Sequence, residues 1–261
     1  MIFLLNTTKT MDLNVSVPRL KVTEPRLLAQ ARLLASKISN MSRSQLIALM
    51  PLSDKLANQT RSNAVLWGGA GRSKKPAIFS FTGLFYKSLD IGSLEEIHLN
   101  DAQKRVHILF GLYGLLRPFD LIEAYRLEMG QKLAIGKNKN LVDFWKEILT
   151  AQVNKNLKDD EPVINLAAQE YIKALDIRKL KGPVISPVFK EKLVNGTFKT
   201  VAVHSKKARG ALVRYALLNN VQTPRELHGF NAMGWKATAE PPEAGPWLFT
   251  RQVTSQLFIN N

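Results

Sequence analysis

The sequence predicts an α/β fold of the mixed α+β kind, in which a mixed sheet is covered by helices. Short apolar and β-branched runs alternate with longer segments of helical period along most of the chain. The dipeptide Asn195-Gly196 joins two of the apolar runs and predicts an antiparallel hairpin. The sequence contains no evident repeat, low-complexity tract or linker, so residues 1–261 are expected to form one domain.

The composition is that of an ordered globular protein. Hydrophobic residues make up 45% and charged residues 22% of the 261 residues. The chain has no cysteine, which excludes disulfides, thiolate metal sites and cysteine nucleophiles. The apolar run at residues 1–5 is too short for a signal peptide or a membrane span, and no later stretch is long enough. We therefore expect a cytoplasmic protein without a membrane partner.

The net charge of +16 is the strongest bulk indication of function. An excess of this size attracts polyanions and favours attachment to nucleic acid, although it does not indicate a fold. A generally basic proteome would produce the same excess.

The N-terminal third predicts a strand followed by helices. Residues 1–5 predict a buried strand, and the polar turn after it contains Lys9. Helix starts are predicted at Thr23, Ser42 and Ser53. Residues 68–75 are a glycine-rich basic connector in which the Walker spacing is absent. Residues 77–81 predict a further buried strand.

Residues 111–130 organise the functional prediction. A helix is expected to end at Gly111, and Asp120 is expected to cap a second helix that ends at Gly130. Gly111 and Gly114 permit a turn whose backbone amides can hold a phosphate. The pattern predicts a helix-hairpin-helix-like element. The alternative is a tight turn whose glycines serve close packing.

The C-terminal half continues the alternation of strands and helices. Helices are predicted at residues 141–157, around 170–175 and at 206–219. Strands are predicted at residues 163–166, 184–193, 198–204, 230–237 and 247–251. Residues 253–261 give no clear pattern.

The helix at residues 206–219 separates apolar residues from cations. Its cationic arc consists of Lys206, Lys207, Arg209 and Arg214. His204 and Ser205 are expected to precede the helix, which places these cations near its N-terminus. Because the helix dipole disfavours positive charge there, the pattern indicates a nearby anion. The alternative is an ordinary solvated charged face.

No pattern indicates a catalytic residue, a cofactor or a metal site. The four histidines are scattered without metal-ligand spacing. Glu123 and Glu128 would point in different directions on a helix, so they are not a matched acid–base pair. Glu170 and Tyr171 follow a predicted strand, where α/β enzymes keep functional groups.

Several segments together resemble the YaaA family of bacterial peroxide-stress resistance proteins. The resemblance is close to full-length, and residues 112–130 are its most specific part. The matching segments are Lys9-Thr10 with Asp12, Ser53-Asp54-Lys55-Leu56-Ala57, Phe81 with Gly83 and Tyr86, residues 111–130, Phe144-Trp145, residues 163–167 with Glu170-Tyr171, residues 206–210, and Gly229-Phe230-Asn231 with Gly234.

The resemblance implies a cytosolic protein linked to hydrogen peroxide resistance. It also implies an unusual mixed α/β fold with a helix-hairpin-helix element and a basic cleft that binds DNA. The chain departs from the family pattern at Thr82 and Leu84, where members commonly have Lys and Asp, and at Ala168-Gln169, where they commonly have Ser-Asp. These departures weaken the case for a shared catalytic mechanism.

We therefore expect a DNA-binding protein of the peroxide response that recognises the backbone or shape of double-stranded DNA, with a monomer favoured. The predicted DNA-binding residues are Lys9, Lys55, Gly111, Leu112, Tyr113, Gly114, Arg117, Arg126, Lys206, Lys207, Arg209 and Arg214. The main alternative is an enzyme for a small phosphorylated or nucleotide-like substrate, which would use Lys9, Lys55, Glu170 and Lys206. A third possibility is an RNA- or ribosome-associated protein.

Overall fold

The computed structural model describes residues 1–252, so the C-terminal segment 253–261 lies outside the described residues. The strands are β1 (Ile2–Asn6), β2 (Lys75–Pro76), β3 (Val106–Phe110), β4 (Gly114–Leu116), β5 (Leu121–Ile122), β6 (Val163–Asn165), β7 (Val184–Lys192), β8 (Phe198–Lys199), β9 (Lys236–Ala237) and β10 (Gly245–Gln252). The α-helices are α1 (Leu28–Ser39), α2 (Arg43–Leu49), α3 (Asp54–Leu66), α4 (Ala77–Ser80), α5 (Leu84–Leu89), α6 (Glu96–Arg105), α7 (Leu141–Asn154), α8 (Gln169–Ile172) and α9 (Ala202–Leu218).

A mixed sheet of eight strands in residues 1–252 confirms the predicted fold class. Its order is β4-β3-β1-β6-β7-β10-β9, with β8 paired to the far end of β7. The five central strands are parallel, and β4, β8 and β9 are antiparallel to their neighbours. Phe3 on β1 lies in register with Val106 on β3 and Ile164 on β6. This central position explains the continuous apolar run at the start of the chain.

The strand order reverses between β1 and β6. The chain leaves β1 and returns in β3 on one side, whereas it leaves β6 and returns in β7 on the other side. The connections therefore diverge and leave a crevice outside the carboxyl ends of the two neighbouring strands. Open α/β sheets bind ligands at such a switch point.

Three predicted helix starts have different outcomes. Ser42 caps α2 with a full capping box, and Ser53 accepts a hydrogen bond from the Leu56 amide at the start of α3. The first helix begins at Leu28 rather than at Thr23. The Thr23 hydroxyl instead donates to Asp120 Oδ1 at 2.6 Å, which holds this residue in an extended bridge.

Several short apolar segments form a different element from the one that the sequence predicts. Residues 77–81 contain the short helix α4 instead of a strand. The predicted helix at residues 102–110 ends at Arg105, and Val106–Phe110 forms the buried strand β3. Apolar spacing over so short a run fits either state, and pairing with β1 decides it. Residues 198–204 and 230–237 contain only the two-residue strands β8 and β9, and α9 begins at Ala202, so His204 and Ser205 lie inside the helix.

The predicted helix-hairpin-helix-like element is a buried β-hairpin. Residues 111–113 form the turn between β3 and β4, and the segment after Asp120 forms strand β5 followed by irregular structure. Leu112 and Tyr113 are only 0% and 2% exposed. Gly114 has a φ of 70° and lies against the Trp145 ring, whose Nε1 donates to the Gly111 carbonyl oxygen at 2.9 Å. The glycines therefore serve a tight turn and close packing.

Within residues 1–252, no helix combines the length and the apolar character needed to cross a membrane. That residues 1–261 form one domain stays a prediction.

Candidate functional site

A cleft with a cavity of about 580 Å³ opens at the switch point of the sheet. Five parts of the chain form it: the end of β1 with the loop after it, the start of α5, the segment after β5, the segment after β6, and α9. Its lining residues are Asn6, Thr7, Thr8, Lys9, Thr10, Gly83, Leu84, Phe85, Glu128, Leu166, Ala168, Glu170, Tyr171, Lys206 and Arg209. We refer to this group as the switch-point cleft.

Hydrogen bonds fix the floor of the switch-point cleft. Asn6 Oδ1 accepts from the Ala168 amide at 2.8 Å, and the Asn6 carbonyl accepts from the Tyr86 hydroxyl at 3.0 Å. The Thr7 hydroxyl lies 3.1 Å from the Tyr171 hydroxyl. Burial raises the pKa of Tyr171 to about 12, so this phenol stays neutral near pH 7. The loops after β1 and β6 are thereby held together.

One wall of the cleft is acidic. The Lys9 ammonium lies 3.4 Å from Glu128 Oε1, and the Arg126 guanidinium lies 3.6 Å from the same oxygen. Glu170 lines the same wall. Burial, followed by the charge of Glu128, raises the pKa of Glu170, while Lys9 opposes the rise. Two carboxylates near one lysine provide acceptors for a ligand that carries hydrogen-bond donors.

A second wall of the cleft is cationic and belongs to α9. Lys206 is exposed, whereas Arg209 is partly buried, and its Nε is inaccessible to solvent and has no hydrogen-bond partner among residues 1–252. Burial lowers the pKa of Arg209. No described carboxylate forms an ion pair with Arg209. A guanidinium in this position favours an anion from outside the protein.

Gly210 sets the position of this wall. A Cβ atom at this residue would fall 2.0 Å from the Phe85 carbonyl oxygen, so α9 approaches α5 more closely than any side chain would allow. The neighbouring Arg209 is thereby held beside Phe85 at the start of α5, where both residues line the cleft.

Three of the predicted DNA-binding residues meet in the cleft, namely Lys9, Lys206 and Arg209. Lys207 is exposed next to Lys206 but is not a lining residue. Arg126 pairs with Glu128 and is not a lining residue. Lys55 is exposed on α3 and does not line the cleft.

The other predicted contact residues have partners within the protein. Arg117 donates to Asp120 Oδ1 at 2.8 Å, and Asp120 is fully buried. Arg214 donates to the Leu89 and Asp90 carbonyl oxygens at 3.1 and 2.8 Å. Gly111, Leu112, Tyr113 and Gly114 lie in the buried hairpin. In this arrangement these four residues offer no exposed surface to a phosphate.

Sequence reasoning missed several lining residues. Thr7 and Thr8 stand where the resemblance implies other residues, and Glu128 lies within the segment 111–130 that carries the resemblance, but the sequence did not indicate that they meet Glu170 in one cleft. The strand order brings them together. The position of Glu170 and Tyr171 after a strand was the one usable signal.

The departures from the family pattern change the lining of the cleft. Leu84 and Ala168, which stand where the resemblance implies Asp and Ser, both line it. Thr82 donates to the Thr10 hydroxyl at 2.9 Å instead of presenting an ammonium group. The cleft is therefore more apolar than the resemblance implies.

Comparisons with known proteins match this chain to one family model and to several bacterial relatives described as UPF0246 proteins. A family model described as peroxide stress protein YaaA matches residues 1–240. A UPF0246 protein of Flavobacterium johnsoniae is 40% identical over 245 residues, which cover 93% of this chain and 97% of the relative. A UPF0246 protein of Marinomonas sp. is 41% identical over 257 residues, covering 97% and 98%. One from Neisseria meningitidis serogroup A is 36% identical over 255 residues, covering 96% and 98%.

Proposed function

We propose that this chain, which belongs to the peroxide stress protein YaaA family, binds the backbone of double-stranded DNA as part of the response to hydrogen peroxide. The observation that supports DNA binding is the convergence of Lys9, near the N-terminus, with Lys206 and Arg209 on α9 in one cleft. Lys207 adds an exposed cation beside them. Clustered cations attract phosphates and release counterions on binding.

The proposed interface is the cationic side of the switch-point cleft and not the hairpin at residues 111–114. Lys206 and Lys207 are exposed, so a phosphate backbone can reach them without a change of fold. Lysine contacts to phosphate position a protein on a duplex without reading its sequence. We therefore expect little preference among duplex sequences.

The test is a titration of a fluorescent duplex with the Lys206→Gln/Lys207→Gln variant. We expect the double variant to bind at least roughly tenfold more weakly than the wild type, because two phosphate contacts are lost. Lys155→Gln/Lys158→Gln is the matched control, since it removes the same charge at the exposed amino-terminal approach to β6. Equal loss in both double variants would overturn the assignment of the interface, and tighter binding of an RNA hairpin than of the duplex would overturn the choice of DNA.

The link to peroxide is tested in cells that lack the gene. The wild type and the Lys155→Gln/Lys158→Gln control should restore survival on hydrogen peroxide, whereas Lys206→Gln/Lys207→Gln should not. Full rescue by Lys206→Gln/Lys207→Gln, the variant with weakened DNA binding, would separate peroxide resistance from the cleft cations.

The acidic wall favours a second candidate function, turnover of a small phosphorylated substrate. Glu128 and Glu170 lie in one cavity with Lys9, an arrangement that supplies acceptors for proton transfer. Lys55, which the sequence suggested for such an enzyme, does not line this cavity. The test is a screen of phosphorylated metabolites for products, in which turnover should be lost in Glu170→Gln.

A further inference from the structure

We propose that the switch-point cleft is a binding site for a nucleoside monophosphate, with the phosphate on Arg209 and Lys206 and the nucleoside between the acidic wall and the apolar lining. The proposal goes beyond duplex binding, because it concerns the interior of the cleft and not the exposed lysines at its edge.

Arg209 carries the argument for a phosphate. Its guanidinium has no ion-pair partner among residues 1–252, and its Nε is cut off from solvent without an acceptor. Leaving a cation so poorly compensated is costly unless an anion binds to it. Arginine pairs with phosphate through two parallel N–H donors. Lys206, one helical turn before Arg209, supplies a second positive charge on the same lining.

The remainder of the lining indicates what the phosphate is attached to. Glu128 and Glu170 accept hydrogen bonds, and hydroxyl or amino groups of a nucleoside can donate them. Leu84, Phe85 and Leu166 supply apolar contact for a planar base. The charged lining residues are three cations, Lys9, Lys206 and Arg209, and two carboxylates, Glu128 and Glu170. This small excess of positive charge matches a monophosphate better than a triphosphate.

The size and place of the cavity agree with this class of ligand. A volume of about 580 Å³ lies within the range of small-molecule sites, roughly 300–1,000 Å³. The cavity also lies at the carboxyl ends of β1 and β6, where connections diverge to opposite sides. A duplex is too wide to enter it, whereas a single nucleotide is not.

A phosphomonoester on a nucleoside can come from a free nucleotide or from the 5′ end of a strand. Calorimetric titration of the full chain with AMP, adenosine, inorganic phosphate and a 5′-phosphorylated trinucleotide separates these sources. We expect AMP to bind at least roughly tenfold more tightly than adenosine or inorganic phosphate, because only AMP engages both walls. Trinucleotide binding as tight as that of AMP would identify a strand end, and much weaker binding would identify a free nucleotide.

The decisive variant is Arg209→Gln. It should weaken AMP binding roughly ten- to hundredfold, the usual effect of losing a charge-assisted hydrogen bond. Its melting temperature should stay the same or rise, since the guanidinium has no partner within the described protein. Lys155→Gln is the control and should bind AMP as the wild type does, because Lys155 is exposed and does not line the cavity.

Failure of this proposal can be told apart from failure of duplex binding. Equal affinity for AMP and adenosine, or AMP affinity unchanged in Arg209→Gln, would overturn the nucleotide site whatever the duplex titration gives. If Arg209→Gln does not fold, Arg209→Lys replaces it and should still weaken AMP, since a single ammonium cannot replace the two-pronged contact. Wild-type AMP affinity in Arg209→Lys would also overturn the site.

Discussion

At the scale of single residues, the buried ionisable side chains form two groups: those that have a partner inside the protein and those that have none among the described residues. Asp120 pairs with Arg117, Glu191 with Arg251, and the buried Glu123 accepts from the Gly68 amide and Arg72. These pairs hold segments of the fold together. Arg209 and His107 lack such partners within residues 1–252, and the two have different consequences.

His107 makes stability depend on pH. Its ring is 2% exposed on β3, neither nitrogen has a partner among the described residues, and burial lowers its pKa from 6.5 to about 4. The fold therefore keeps the neutral ring, while the unfolded chain takes up a proton below about pH 6.5. Stability is present above that pH and is lost as the pH falls towards 4.

The free energy of unfolding of the wild type should fall between pH 7 and pH 4.5, and we expect this fall to be about 2–3 kcal/mol smaller in His107→Leu, because the buried ring whose pKa is lowered to about 4 is gone. Denaturant unfolding at both pH values measures it. His228→Gln, at an exposed histidine, should leave the wild-type difference intact. An identical pH dependence in His107→Leu and the wild type would contradict this account.

The cations of the cleft were predictable from the sequence residue by residue, but not their partners. The arc on α9 indicated Lys206 and Arg209, and the resemblance added Lys9. Arg117 and Arg214 looked equivalent in the sequence, although Asp120 and two backbone carbonyls already bind them. A charge pattern cannot reveal which cation has a partner far along the chain.

At the scale of elements, the packing of α9 on α5 fixes the cleft. The two helices make close contact around Gly210, where a methyl group would fall 2.0 Å from a backbone oxygen. A backbone atom cannot move aside as a flexible side chain can.

Gly210→Ala should therefore lower the free energy of unfolding by about 1–3 kcal/mol or more, as overpacking does elsewhere. The displaced helix should also carry Arg209 away from the cavity and weaken AMP. Unfolding in denaturant and the calorimetric titration measure the two effects. Gly92→Ala is the matched control, because its Cβ would meet no atom within 4 Å; similar losses in both variants would argue against a special role for the α5–α9 contact.

Long amphipathic elements were predictable, and short apolar ones were not. The helix predicted at residues 141–157 is α7, which the Asn140 side chain caps. The Asn195-Gly196 turn joins β7 to β8, with Gly196 at a φ of 82°. The five residues of β3 fit helical and strand spacing equally, and only pairing with β1 distinguishes them. Tertiary pairing decides such segments, and a local pattern does not contain it.

At the scale of the whole molecule, the net charge of +16 is larger than the number of cations at the cleft. Lys206 and Lys207, exposed at the edge of the cleft, can neutralise about two phosphates of a duplex. The logarithm of duplex affinity should then fall with the logarithm of salt concentration at a slope of about −2. In Lys206→Gln/Lys207→Gln, the magnitude of this slope should be smaller by about 2. A wild-type slope near zero in the anisotropy titration would contradict electrostatic binding.

The fold class was predictable because strands and helices alternate along the chain, but the strand order was not. The cleft exists because β6 lies next to β1 and not beside β3, and nothing in residues 163–165 specifies that neighbour. Once the strand order is known, the general location of the site follows from it, because open α/β sheets bind ligands where the order reverses.

The two ends of the sheet have a further consequence. The sheet ends in β4, a strand of three residues, on one side and in β9, a strand of two residues, on the other. Both strands run antiparallel to their neighbours. Because β4 pairs with Ile108, Leu109 and Phe110 of the five-residue β3, it leaves few peptide groups free on its side of the sheet, which limits edge-to-edge aggregation there. On the other side, β9 pairs only with Phe249 and Thr250 of the eight-residue β10, so among the described residues the remainder of that strand is where a second strand would add to the sheet.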